Sequence, residues 1–589
     1  MNRICGIFGK SSEGLLTKMV ASMNSKSSVK PYIFQAENIR MGVTPIKPGD
    51  AKKSQHAVFE DETGVCVFFD GYLYNHDQLR SFLERQGCKL RSASDAELAA
   101  QLYRQKGESF MTLLKGTFSL VLWDGDKLLL GRDRLGFKRL FYTEVPGDPS
   151  VIFGSEIKSL FQHSEVPRAI DEESLYQQSV LAYIYGLDRT LFKDIKQVPP
   201  GCLLVVTPAI DGGGKRFDIQ VNRYYDLPEP AAHRALEKDS QLIEFKERLK
   251  TALENTCQRY IEKEDIPHGI LLSGGLDSSF LASLWAKHSP APLKTFSVSD
   301  SSGLLDLEFS RMVSRTLGTE HMEMEIGFDD FIEAIPLFFS AFENITLGGG
   351  MKGFNFHADL ASFILSSKVS RYTDIAICGE GSDELFGGYP QHHYPGQFQQ
   401  EIKESMASVA GSPYDIGDRI EKWIAPPKEK ELQMVFDFLL RSHLTNYHLW
   451  AGDQGGVANG LDVKLPYLDQ EVFDIAAEIP VNWRLHLQIP KYLLKKIAED
   501  YFKDTPMIDI LYRKKLALPS GFVELSKRFY AICEKYITPA YRAKHPYGKY
   551  LKTSVETLLF DVFYYIFIIH GGIVPADFKL DQIYTRLKW

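Results

Sequence analysis

The sequence predicts an α/β protein in two parts: a first half of stacked sheets flanked by helices, and a second half built on a parallel sheet with crossover helices. Three observations carry this. The first 225 residues hold short apolar or β-branched runs that end in turn signals. From about Leu242 the pattern changes to alternating helix and strand. Two glycine-rich loops in that second half each follow an apolar run, at Ser273–Gly275 and at Gly379–Gly381.

In the first half, strands are predicted at Ile4–Phe8, Val65–Phe69, Phe118–Trp123, Lys127–Leu130 and Leu203–Val206. Asp70-Gly71 and Asp124-Gly125 mark turns. Asn75–Gln86 and Asp95–Lys106 have the apolar spacing of amphipathic helices. Asp226–Gln241 is rich in Pro, Ala and charge, has no period, and reads as a linker between domains at 1–225 and 242–589. A long helix follows at Gln241–Glu262, then a buried strand at Gly269–Leu272, a helix at Ser279–Lys287, and strands at Thr295–Val298 and Ile375–Cys378. Beyond about Pro395 the pattern is mainly helical.

The 589 residues are 44% apolar and 24% charged, the composition of a globular protein with a sizeable core. A net charge of −8 without a long basic run argues against nucleic acid as a partner. The seven cysteines are scattered and form no C-x-x-C pair, so neither a zinc site nor a disulfide framework is expected, and a reducing cytoplasm is. Met1–Lys10 lacks the apolar stretch of a signal peptide. Leu558–Ile569 is the most apolar segment, but it is too short to span a membrane and contains Asp561. It reads as a buried helix whose aromatic excess would also suit a homodimer contact.

The string Leu271-Leu272-Ser273-Gly274-Gly275-Leu276-Asp277-Ser278-Ser279 leaves a strand and opens a helix. Its glycines let the backbone approach an anion, and Ser273, Ser278 and the helix-start N–H groups can donate to phosphate. Asp277 suits a magnesium ion that neutralises pyrophosphate. A lone Ser-Gly-Gly is most often only a turn; the whole string between strand and helix favours a nucleotide. It lacks the Gly-Lys-Ser/Thr ending of a P-loop, which makes attack at the α-phosphate the natural chemistry. Gly379-Glu380-Gly381-Ser382-Asp383-Glu384 also follows a strand, so both loops are expected at one sheet edge. Asp383 would share the magnesium, and Glu380 would face the reacting centre as a base. Lys491 opens a helix; in an anionic site it would stabilise the leaving pyrophosphate.

These strings resemble those of the asparagine synthetase superfamily of amidotransferases. So do Asn459–Asp469, with its Pro466-Tyr467-Leu468-Asp469, and the basic pair Arg513 and Lys515. Gly131–Gly136 and Phe153–Leu160 match in the first half. The resemblance implies an N-terminal αββα glutaminase-type domain of the Ntn-hydrolase kind. It implies a C-terminal, doubly wound ATP-pyrophosphatase domain like the adenine nucleotide α-hydrolases. It further implies ATP and Mg2+ as cofactors, with nucleotide contacts from Leu271, Ser273, Gly274, Gly275, Asp277, Ser278, Ser297, Val298 and Gly379. Asp277 and Asp383 would hold the metal, and Glu380 and Lys491 would be catalytic. The expected activity is adenylation of a small-molecule or peptide carboxylate, followed by attack of ammonia or an amine. β-Lactam-forming relatives use a Tyr-centred arrangement, and lasso-peptide cyclases also depart from the pattern. Glu343 falls in the region that shapes the acceptor pocket, and the following Gly348–Gly353 departs from the family, which speaks against aspartate as the acceptor.

The first half departs from a working class II glutaminase, whose N-terminal cysteine uses its own free amine as base. Here Cys5 follows four residues, and Asn2 is too large for ordinary methionine removal. The family's Asn-Gly-Glu reads Asp70-Gly71-Tyr72, and an ionised Asp70 would repel an oxyanion. The family's arginine for the glutamine carboxylate aligns with Thr44, in the stretch Met41–Ile46. Only Asp95 still matches the residue that holds the glutamine amine. The expectation is a degenerate glutaminase site. Three alternatives stand beside it: a glutamine-hydrolysing asparagine synthetase processed to Cys5, an intramolecular amide or lactam cyclase, and a non-catalytic scaffold.

Overall fold

The computed structural model describes residues 2–10, 14–23, 30–45, 57–211, 214–263, 268–299, 305–347, 356–409, 412–513, 523–587 and 589. The first half is an antiparallel sandwich of two six-stranded sheets. One sheet runs Lys196–Gln197, Phe141–Glu144, Ser150–Gly154, Asn2–Gly9, Ile39–Pro45, Tyr32–Gln35. The other runs Gly214–Arg223, Cys202–Asp211, Leu128–Arg132, Gly116–Trp123, Cys66–Leu73, Val58–Glu60.

Period-two alternation divides each strand between two cores. In Asn2–Gly9, Ile4 and Phe8 meet Phe68, Val121 and Leu204 of the opposite sheet, whereas Cys5 and Ile7 face Leu16 and Met19 of the helix Leu15–Ser22. The outer face of the second sheet is covered by the helices His76–Arg85 and Asp95–Lys106. The latter begins where the Ser94 side chain accepts from the N–H groups of Ala96 and Glu97, and it ends at Gly107.

The segment between Tyr224 and Lys238 carries neither helix nor strand, and the helix Asp239–Lys263 starts two residues before the expected Gln241. This connection lies fastened along the second half. The Ala231 N–H donates to Ala477 O, and Ala231 O accepts from the Val481 N–H.

The second-half sheet is parallel, in the order Glu320–Glu325, Lys294–Ser299, His268–Leu271, Ile375–Ile377, Asp462–Lys464. The first strand in sequence is therefore central. The chain moves outward from it on one side and then returns to its other side. His268 pairs with Ile375, so the loops after these two strands open side by side at the reversal of strand order, where such sheets bind ligands.

The apolar segment expected as a buried helix is the helix Ser554–Tyr564 with a wider-wound turn, Tyr565–Ile569. Its rings are spent inside the chain: Phe563 and Phe567 pack on Phe192 of the first half. Among the described residues, no helix is long and apolar enough to cross a membrane.

Candidate active site

The loop after His268–Leu271 turns at Gly274, whose φ of +70° lies in the left-handed region that glycine adopts freely. Ser273 Oγ stands 3.1 Å from Ser278 Oγ, and Ser278 Oγ accepts from the Ser273 N–H at 3.2 Å. The helix Leu276–His288 then starts at Gly275 without a side-chain cap, leaving its first N–H groups directed at the loop. Ser297 Oγ donates to Leu272 O at 2.5 Å, tying the loop to the strand Lys294–Ser299, which also carries Val298.

The acidic loop lies directly against this one. A Cβ on Gly379 would come 3.1 Å from Asp277 Cβ, so glycine lets the two loops approach without crowding. Ser382 Oγ donates to Asp277 Oδ1 at 2.7 Å, and the Tyr467 hydroxyl donates to Asp277 O at 3.0 Å. Lys491 stands at the start of Tyr492–Phe502 with φ +56°, its N–H bonded to Phe386 O. From there Lys491 Nζ reaches 2.7 Å from both Asp277 oxygens and 2.7 Å from Asp383 Oδ1. A Cβ on Gly388 would overlap both Asp383 and Lys491, so this glycine makes room for the ion pair. Residues 277, 383 and 491 are thus one cluster of two carboxylates around one cation, beside the Ser273–Ser278 loop.

Glu380 stands next to Gly379, and its Oε1 lies 3.0 Å from His448 Nδ1. Burial would lower the His448 pKa, but the neighbouring Glu380 and Glu384 carboxylates outweigh it and push it up to about 9. The Tyr389 hydroxyl donates to Glu384 Oε1 at 3.0 Å and lies 3.2 Å from His448 Nε2. Burial drives the pKa of Glu384 up and that of His443 down. Ser382, Tyr467 and His448 were not anticipated from the sequence. The first two lie inside strings already singled out, but His448 carries no local signal.

Other expectations fall elsewhere. Glu343 is fully buried and accepts from the Ile157 and Lys158 N–H groups at 2.6 and 3.0 Å, so it braces the two halves. Arg513 stacks over Phe309, while Gly348–Gly353, Ile46 and Lys515 lie outside the described residues.

In the first half, Cys5 is fully buried mid-strand, paired with Gly42 on one side and Gly154 on the other, and burial raises its thiol pKa. Two residues before it, the buried Arg3 guanidinium meets Glu156 at 3.0 Å, Gln454 at 2.8 Å, Asp453 at 3.4 Å and Asp70 at 3.8 Å. Asp70 also accepts from the Asn2 N–H at 3.0 Å. Gly71, with φ +121°, would place a Cβ against the Thr117 backbone. Tyr72 turns to the second half: Lys464 Nζ lies 3.4 Å from its ring centroid and Tyr260 Oη 3.1 Å from its hydroxyl. The Asp95 carboxylate is engaged locally, by His76 at 2.6 Å and the Leu73 N–H at 2.9 Å. Thr44 is buried, opposite Arg3 in the sheet.

Each half resembles known proteins. Residues 248–550 match the family described as "Asparagine synthase", and residues 1–215 match a "Glutamine amidotransferase domain". Among named relatives, asparagine synthetase (glutamine-hydrolyzing) 1 of Bacillus subtilis (strain 168) is 26% identical over 540 residues, covering 82% of this chain and 80% of its own. The asparagine synthetase (glutamine-hydrolyzing) of Sandersonia aurantiaca is 26% identical over 490 residues, covering 80% and 77%. The chain belongs to the asparagine synthase family, whose chemistry is ATP-dependent carbon–nitrogen ligation.

Proposed function

We propose that this protein adenylates a substrate carboxylate, releases pyrophosphate, and passes the acyl group to a nitrogen nucleophile, giving an amide and AMP. The observation that carries this is the convergence of Asp277, Asp383 and Lys491 beside the Ser273–Ser278 loop. The loop hydroxyls and helix-start N–H groups bind the β- and γ-phosphates. Asp277 and Asp383 are the pair for magnesium: both carboxylates already point at one cation, and oxygen donors suit a hard dication. When bound, that ion neutralises charge on the pyrophosphate. Lys491 does the same at the leaving oxygens. Glu380, beside the loop contact at Gly379, takes the proton from the attacking nitrogen.

In this reading the first half no longer hydrolyses glutamine. Cys5 lacks both exposure and a free amine, and cleavage before it would remove Asn2–Ile4 from a paired strand and Arg3 from its buried partners. Asp70 and Tyr72, two departures from the family, are occupied by Arg3 and by contacts to the second half, which supports a structural role. The acceptor is not simply aspartate, a reading that rests on the departure of Gly348–Gly353 from the family sequence. Pyrophosphate release is to be measured with ATP, Mg2+ and panels of carboxylates and amines. Release that is lost in Asp277→Ala is expected; no release with any panel overturns the assignment.

A further inference from the structure

We propose that His448 is a positioning residue that holds Glu380 as the ionised acceptor for the proton released when the amide bond forms. This rests on the ligase reading above and deepens it at the second step.

The contacts place the ring between two acids. Nδ1 faces the Glu380 carboxyl at 3.0 Å, and an ionised carboxylate only accepts, so in that state it takes the Nδ1–H. Nε2 faces the Tyr389 hydroxyl at 3.2 Å. That hydroxyl has one proton and gives it to Glu384 Oε1, so it accepts from Nε2. With both acids ionised, both nitrogens are donors and His448 is an imidazolium between two carboxylates, in keeping with its raised pKa. Glu384, His443 and His448 have metal-binding types within 4.8 Å of one another. The Tyr389 hydroxyl already joins two of them, so hydrogen bonding accounts for their approach.

The two carboxylates differ in access. Glu384 is fully buried, whereas the Glu380 side chain retains about a third of its exposure, at 32%. Glu380 is therefore the one able to meet a substrate. Glu384 and Asp359 both lie within its electrostatic reach, and carboxylates so close repel one another's charge. The interposed imidazolium reverses that. In the step itself, the nitrogen lone pair forms the N–C bond and the C–O bond to AMP breaks, its electron pair staying on the AMP phosphate oxygen. The proton lost by nitrogen goes to a Glu380 oxygen. His448 touches none of the reacting atoms; it keeps their proton acceptor ionised and aimed.

The test separates the two half-reactions of the full-length chain. His448→Gln keeps a donor toward Glu380 but removes the charge. The expected result is a fall of about 10²-fold in the kcat of amide formation, with carboxylate-dependent ATP–pyrophosphate exchange falling far less. Glu380→Gln is expected to lose amide formation, and the double variant to be no slower than Glu380→Gln alone, because the pair acts as a unit. Tyr389→Phe, which removes the acceptor for Nε2–H, is a second route should His448→Gln fold poorly; a selective loss of the amide step is again expected. Full amide formation in His448→Gln, or exchange and amide formation falling in parallel in both variants, overturns the proposal. Absence of exchange in the unmodified protein with every carboxylate instead overturns the ligase reading itself.

Discussion

Lys491 Nζ lies 2.7 Å from each carboxylate oxygen of Asp277, a residue 214 positions earlier in the chain. The same nitrogen holds Asp383. One ammonium thus pairs with two carboxylates, and in the proposed function it meets the phosphate oxygens there. Lys491→Met is expected to lower pyrophosphate formation by about 10²–10³-fold, the usual loss when a preorganised charge at a leaving group is removed. Lys491→Arg will not restore it, because a planar fork cannot occupy the place of a point charge touching three oxygens. Exchange of labelled pyrophosphate into ATP measures both variants.

Asp383→Asn keeps the shape of the site and removes one of the two charges that the proposed function assigns to magnesium. The expected outcome is a shift of the Mg2+ dependence of pyrophosphate release to higher concentration, with partial recovery at saturating Mg2+. A Mg2+ titration at fixed ATP reads it. An unchanged half-saturation would separate Asp383 from metal binding.

Gly388 offers a steric test of the same cluster. A Cβ there would overlap Asp383 and Lys491, so Gly388→Ala must displace the ion pair. Overpacking of this kind costs about 1–3 kcal/mol. A modest fall in Tm with a much larger loss of pyrophosphate release is expected. Gly396→Ala, where a Cβ meets nothing within 4 Å, serves as the control.

Much of this cluster was legible in the sequence. Asp277 and Asp383 follow apolar runs read as parallel strands, and the rule that ligands gather at strand carboxyl ends brings their loops together. The Glu380–His448 pair was not legible. His448 ends the wide-wound stretch Leu439–His448, within a region whose apolar residues face several neighbours, and no spacing links it to Glu380. Arg3 was equally silent: its burial comes from the approach of Asp453, 450 residues away, which no local pattern encodes. The strand Ile39–Pro45 alternates correctly, yet Gly42 and Pro45 hid it among turn signals. Nor does any local pattern around Glu343 show that its carboxylate is taken up by the start of the helix Ile157–Leu160.

The pH dependence of stability should report the His448 network. Its folded-state pKa is raised to about 9 by Glu380 and Glu384, with Asp359 adding to the effect, against an ordinary value near 6.5. A raised histidine pKa means that the folded state holds the proton more tightly. The stabilisation is therefore full below about pH 6.5 and is lost as pH rises through about 9. The difference in Tm between the unmodified protein and His448→Gln should shrink across that window. A difference that stays constant from pH 6 to 9.5 would show that the ring is not held as a cation.

The first half yields a paired prediction. Arg3 is a buried charge shared among Glu156, Asp453 and Asp70, and Arg3→Ala leaves those carboxylates without their guanidinium. Removing one partner of such a cluster costs about 3–5 kcal/mol. A marked fall in thermal stability is therefore expected, together with weaker docking of the halves read by limited proteolysis near residues 224–238. Cys5→Ala removes only a small buried thiol and should leave ligation with ammonia or an amine within about twofold, since a small core truncation rarely reaches a distant site. Glutamate release from glutamine should be absent in both the unmodified protein and Cys5→Ala. Glutamine hydrolysis that depends on Cys5 would instead mean that the strand opens to expose the thiol, and the structural role assigned to Arg3 would have to be given up.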